Sequence, residues 1–71
     1  MSNGMWDQIS GKWKQLKGDI RTRWGDLTDD EVEMVAGQRD KLAGLIQERY
    51  GRTKEEANRE IDQWADNLKF D

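Results

Sequence analysis

The side chains that most often perform catalysis are missing from this chain of 71 residues, which has no histidine and no cysteine. Its serines are Ser2 and Ser10, and neither has a histidine that could remove its proton. The glycine-rich signatures of phosphate and dinucleotide binding are also absent. The sequence therefore predicts a protein that is not an enzyme and that uses no cofactor.

An acidic run near the middle of the chain contains carboxylates that could bind Ca²⁺ or Mg²⁺. The run consists of Asp26, Asp29, Asp30, Glu31 and Glu33. Its spacing differs from that of a calcium-binding loop, and three of its members fall in the first turn of a predicted helix, where negative charge is favoured. We therefore expect a helix start here and no metal site.

A basic stripe is the strongest candidate for ligand binding. Lys14, Lys17 and Arg21 are three and four residues apart, so a helix would place them on one side, where they could contact nucleic-acid phosphates. The formal net charge of −3 opposes long-range attraction to a polyanion. Weak nucleic-acid binding through this basic face is therefore the alternative function, and its affinity should fall steeply with salt.

The charges alternate in blocks along the chain. Residues 1–24 hold five Lys and Arg against two Asp, whereas residues 25–37 hold five acids and no base. Residues 38–54 again hold five bases against two acids, and residues 55–71 hold two bases against six acids. This pattern favours basic helices that lie beside acidic helices within one molecule, through individually weak ion pairs.

The apolar residues predict a first helix that is continuous over residues 6–24. They recur every three or four positions and form one stripe: Trp6, Ile9, Trp13, Leu16, Ile20 and Trp24. Gly25 follows and is expected to end the helix in a left-handed conformation. A stripe of Trp beside Lys could lie on a membrane surface, but the other helices need it for packing, so membrane binding is not favoured.

Three further helices are predicted from their first and last residues. The second begins after Thr28, which forms a capping box with Glu31, and ends near Ala36 before Gly37. The third contains Leu42, Leu45, Ile46 and Tyr50 and ends at Gly51, and the fourth begins at a second capping box, Thr53 with Glu56. With no strand pattern, the chain is expected to be all-α.

Two stretches of the chain are similar to each other. "LKGDIRTRWGDLTDDE" over residues 16–31 aligns with "LAGLIQERYGRTKEE" over residues 42–56 when one residue is deleted. Each stretch predicts helix, turn and capped helix, and neither hairpin can bury its apolar face alone. We therefore expect one domain over residues 1–71 in which two hairpins, over about residues 11–36 and 38–68, cross and share one core.

Four repeated positions have no role in this architecture. Gly18 and Gly44 lie inside helices, where glycine costs roughly 1 kcal/mol relative to alanine. Either the helix tolerates a poor residue, or another backbone or a partner approaches closely there. Arg23 and Arg49 precede the aromatic residue of each repeat. If the repeat has a function beyond folding, these four residues are the candidates.

Several segments together resemble the CsbD-like family of small bacterial stress-response proteins. They are "GKWKQLKGDIRTRWGDLTDDE", Gly37, the Leu-x-Gly at 42–44 and "IQERYG" at 46–51, so that the resemblance covers about residues 11–64. It implies a small four-helix bundle of two roughly orthogonal hairpins, similar to SAM-domain-like folds with a helix-hairpin-helix-like duplication. It also implies a cytoplasmic, non-enzymatic protein that protects or binds other proteins. We expect a monomer, and no feature identifies the partner.

Overall fold

The computed structural model describes residues 3–68, and that part of the chain consists of helices joined by short turns, without a strand. The helices are α1 (Asn3–Gly11), α2 (Trp13–Arg23), α3 (Asp29–Val35), α4 (Arg39–Tyr50) and α5 (Lys54–Asn67). The all-α prediction is confirmed, but the predicted four helices become five. Ser2, one of the two serines considered above, lies outside the described residues.

The predicted first helix is divided at Lys12, which gives α1 and α2. Lys12 has φ −109° and ψ 24°, whereas a helical residue has ψ near −42°. Hydrogen bonds nevertheless continue across the break, because Lys12 N–H donates to the Gln8 and Ile9 carbonyls and Leu16 N–H donates to the Lys12 carbonyl. The apolar spacing of three and four is therefore preserved through the break, so the sequence pattern does not reveal it.

Both predicted capping boxes are present. The Thr28 hydroxyl accepts the Glu31 N–H at 3.1 Å and the Glu31 carboxylate accepts the Thr28 N–H at 3.0 Å. The same two bonds join Thr53 and Glu56 at 3.1 and 2.9 Å. Each box satisfies backbone N–H groups that have no partner within the helix, which explains why α3 and α5 begin where the sequence predicts.

The predicted helix ends beside Gly25, Gly37 and Gly51 are all confirmed, but the left-handed conformation expected at Gly25 is wrong. Gly51 ends α4 with φ +65°, and Gly37 follows α3 with φ +78°, directly after Ala36, which is itself left-handed at φ +53°. Gly25 has no positive φ. Trp24, which directly follows the last residue of α2, has φ −125° and ψ 79°. The Leu27 N–H donates to the Trp24 carbonyl, so the turn closes without a left-handed residue.

The core lies between helices that are neighbours in the chain and is closed by α1. α2 packs on α3, α3 on α4 and α4 on α5, whereas α1 contacts both α2 and α5. The apolar stripe predicted for the first helix faces this core, where Ile9 and Ile20 are fully buried. No helix in the described part is long and apolar enough to span a membrane.

Tryptophan side chains connect segments that are distant in the sequence. The Trp6 and Trp13 indole N–H groups donate to the Gly37 and Val32 carbonyls, each at 2.8 Å. The Trp6 and Trp13 rings also pack against each other, with centroids 6.3 Å apart. Because the Ser10 hydroxyl donates to the same Gly37 carbonyl at 2.8 Å, α1 is held against the turn between α3 and α4.

Candidate interaction surfaces

The basic face of α2 is largely paired with α3. Lys17 Nζ lies 3.6 Å from the Glu33 carboxylate, and an Arg21 guanidinium nitrogen lies 3.5 Å from the Asp29 carboxylate. Lys14 is exposed and makes no ion pair within the part of the chain that the structure describes. Two of the three cations predicted to contact phosphate thus already face carboxylates, as expected from the alternating charge blocks.

Arg23 and Arg49, which are equivalent in the repeat, each pair with a glutamate of another helix. Arg23 lies at the end of α2, 3.5 Å from the Glu60 carboxylate of α5, and its guanidinium lies 5.0 Å from the centroid of the Trp24 ring. Arg49 lies near the end of α4 and pairs with Glu31 of α3. Both arginines therefore connect the two halves of the chain, which is the architectural role that the sequence did not reveal.

Glu60 is the centre of a polar cluster at the end of α2. Its carboxylate accepts the Trp24 indole N–H at 2.9 Å and the Arg52 Nε–H at 2.7 Å, and only 18% of its side chain is exposed. Burial raises the pKa of this carboxyl, but the hydrogen bonds from Trp24 and Arg52 and the charges of Arg52 and Arg23 outweigh it, so the pKa lies below its ordinary value of 4.5. Glu60 is therefore held as a carboxylate that fixes a core tryptophan.

Three of the five residues in the acidic run have structural partners, and so does the serine of α1. Asp29 and Glu33 pair with α2, and Glu31 both caps α3 and pairs with Arg49. The Ser10 hydroxyl donates to a backbone carbonyl. Within residues 3–68, no three carboxylates come together in a way that could hold a metal ion.

Within the part of the chain that the structure describes, no other segment approaches Gly18 or Gly44 closely. A methyl group added to either Cα would meet nothing within 4 Å, apart from the helix that carries it, and both residues are exposed. The interpretation that another backbone within the molecule requires glycine here is therefore wrong. The two positions differ in their surroundings, because Gly44 lines a surface cavity.

That cavity, which we call the α3–α4 groove, is an apolar depression between α3 and α4 with a volume of about 600 Å³. It is lined by Glu31, Met34, Val35, Lys41, Gly44, Leu45 and Glu48. Met34 is 75% exposed, the most exposed of the large apolar side chains in the described part. Of the residues that line this groove, the sequence analysis singled out only Gly44 as a candidate for interaction. The groove itself could not be predicted, because only the packed structure places α3 and Met34 beside Gly44.

Sequence comparison places the chain among known bacterial proteins. The sequence model of the CsbD-like family matches residues 7–59. The chain belongs to the CsbD-like family. A UPF0337 protein of Bordetella pertussis is 55% identical over 63 residues, which cover 89% of this chain and 85% of that protein. A UPF0337 protein of Pectobacterium atrosepticum is 52% identical over 69 residues, covering 97% and 90% respectively.

The UPF0337 protein YjbJ of Escherichia coli K12 is also similar to this CsbD-like chain, with 48% identity over 63 residues that cover 89% of the chain and 81% of YjbJ. No solved structure matches the chain, so the expected likeness to SAM-domain-like folds stays a prediction. The CsbD-like match contains α2, α3 and α4 complete, and therefore the whole α3–α4 groove. It begins one residue after Trp6 and ends one residue before Glu60.

Proposed function

We propose that this CsbD-like protein is a non-enzymatic, cytoplasmic stress-response protein that protects or binds other proteins through the α3–α4 groove. The observation that carries the proposal is the exposure of Met34 beside an apolar depression. Met34 contributes little to the core, because three quarters of its surface remains accessible. A partner protein that covers Met34 would remove this apolar surface from water, which favours binding at the groove.

The proposal is tested by heating a thermolabile client enzyme with the protein and following aggregation by light scattering. We expect wild-type protein to suppress aggregation and Met34→Gln to lose at least half of that effect, because glutamine keeps the length of the side chain but adds a polar group. Met5→Gln is the matched control, since Met5 is also exposed, at 38%, but lies on α1 outside the groove.

Two results would contradict the proposal. If wild-type protein protects the client no better than an unrelated acidic domain of equal size, the protein has no specific protective function. If Met34→Gln and wild type protect the client equally, the groove is not the surface that contacts the client. Circular dichroism of both variants before heating shows whether each is folded.

Weak nucleic-acid binding is the second candidate, and the exposed Lys14 is the observation that favours it. Because Lys17 and Arg21 already face carboxylates, Lys14 is the one cation of this three-residue basic face that has no ion pair within residues 3–68. We expect any binding to a labelled duplex to have a log–log salt slope of only about −1 to −2, since each neutralised phosphate contributes roughly −0.9. Lys14→Gln should abolish this binding. A slope steeper than about −4 would contradict the conclusion that Lys17 and Arg21 are already paired with carboxylates.

A further inference from the structure

The outer face of α4 carries charges of opposite sign on either side of Gly44. Lys41, Gly44, Leu45 and Glu48 line the same groove, and their spacing of three, one and three residues places them on one side of the helix. Within residues 3–68, neither Lys41 nor Glu48 takes part in an ion pair. Of the α4 residues that line the groove, one lysine and one glutamate are therefore without an ion pair in the described part of the chain.

The arrangement is complementary to itself. Lys41 precedes the midpoint between Gly44 and Leu45 by the same number of residues as Glu48 follows it. If a second α4 lies antiparallel across this midpoint, Lys41 of each copy faces Glu48 of the other, because both lie roughly 5 Å along the axis from the crossing point. A parallel arrangement would instead place each charge opposite its own kind.

We propose that the surface that contains the α3–α4 groove packs against the same surface of a second copy of this chain, in a two-fold symmetric dimer with antiparallel α4 helices. The inference rests on the proposed use of the groove as an interaction surface, and it replaces the monomer expected from the sequence. A two-fold interface requires that one patch be complementary to itself, and the charges of Lys41 and Glu48 meet that requirement.

Gly44 and Met34 acquire a role in this dimer. A Cβ at Gly44 would meet nothing within 4 Å outside its own helix among the described residues, so a second backbone can approach α4 closely at that point. Met34 stands on the adjacent α3, and the second copy would cover its exposed apolar surface. The interior glycine, unfavourable for an isolated helix, is then explained by contact between two molecules.

The size of the face implies a weak dimer. α4 has 12 residues and is about 18 Å long, whereas a stable interface buries about 800 Å² on each partner. That area would be about a sixth of the 4827 Å² accessible surface of this chain, a large share for a contact made mainly by one 12-residue helix and its copy. We therefore expect a dissociation constant of roughly 10 μM to 1 mM.

The test is sedimentation equilibrium of the full chain at low salt, from about 10 μM to 1 mM, the range over which the expected dimer forms. Wild-type protein should show a dimer fraction that rises with concentration. Lys41→Glu and Glu48→Lys should each weaken it at least tenfold, because each places like charges opposite one another. An equimolar mixture of the two single variants, and the double variant Lys41→Glu/Glu48→Lys, should both dimerise, because each restores two opposite-charge pairs.

Glycine substitutions provide an independent measurement. Gly44→Ala should weaken the dimer, whereas Gly18→Ala, the equivalent substitution in the repeat, should leave it unchanged. A wild-type protein that stays monomeric to 1 mM, or single charge variants that dimerise as well as wild type, would overturn the dimer. If the Met34→Gln variant still loses client protection in that case, the groove binds another protein, and the proposed function survives without the dimer.

Discussion

Replacing Gly37 by alanine tests how α1 is attached to the rest of the molecule. Gly37 has φ +78°, and a Cβ at this position would lie 2.6 Å from the Ser10 hydroxyl oxygen and 3.1 Å from the Ser10 Cα. These contacts are too short to persist, so either α1 or the turn between α3 and α4 must move. The same movement would break the two hydrogen bonds that Trp6 and Ser10 donate to the Gly37 carbonyl.

The cost of Gly37→Ala has two parts. An L-residue in the left-handed conformation costs about 1–2 kcal/mol. Loss of two hydrogen bonds adds about 1–3 kcal/mol, so the free energy of unfolding should fall by about 2–5 kcal/mol. Because small domains have total stabilities near the lower end of about 5–15 kcal/mol, this variant should unfold at a much lower denaturant concentration than wild type.

Gly51→Ala is the matched control for this prediction. Gly51 has φ +65°, but a Cβ there would meet nothing within 4 Å, so only the conformational cost of about 1–2 kcal/mol applies. Urea unfolding followed by circular dichroism and tryptophan fluorescence compares the two variants. Equal destabilisation, within about 0.5 kcal/mol, would refute the attachment of α1 through Gly37. In a Ser10→Ala background, which removes the nearest atom, the cost of Gly37→Ala should decrease.

Two further predictions concern positions that the repeat and the polar cluster single out. Glu60→Gln should reduce stability at neutral pH by about 1–3 kcal/mol, since hydrogen bonds to a charged group are lost. Because the folded-state pKa of Glu60 is lowered, its contribution is present above the unfolded-state pKa and is lost as pH falls through the folded-state value, so the two proteins should converge in acid. Glu55→Gln, on the same helix, is the control, and an equal effect of both substitutions in urea titrations from pH 7 to 3 would contradict the role of Glu60. Gly18→Ala and Gly44→Ala should each stabilise the monomer by up to about 1 kcal/mol in urea at low protein concentration, whereas destabilisation would mean that something closely approaches these glycines.

The first residues of α3 and α5 could be predicted from the sequence because the starts of these helices depend on local contacts. Thr28 with Glu31 and Thr53 with Glu56 form hydrogen bonds over three residues, and this interaction needs no knowledge of the rest of the fold. The break at Lys12 could not be predicted in the same way. A break that preserves the apolar spacing of three and four residues cannot be detected from the periodicity of the sequence.

The roles of the repeated arginines and of Gly44 could not be predicted, because they depend on contacts between distant segments. Arg23 meets Glu60 only after α5 packs beside the end of α2, 37 residues away in the sequence. On a helical wheel Gly44 lies away from the apolar stripe of its own helix, but the wheel contains no information about α3. The groove exists only where two helices are packed together, so periodicity within one helix cannot reveal it.

The four tryptophans provide optical probes of two separate regions of the molecule. Trp6 and Trp13 pack together across the break between α1 and α2, whereas the Trp24 and Trp64 rings meet edge-on, with centroids 5.7 Å apart, between α2 and α5. Local opening of α1 would disturb the first pair and leave the second intact, while global unfolding separates both. With Trp6 and Trp13 replaced by phenylalanine, the remaining indole emission would follow the α2–α5 contact alone. Partial detachment of α1 can therefore be distinguished from denaturation without any attached label.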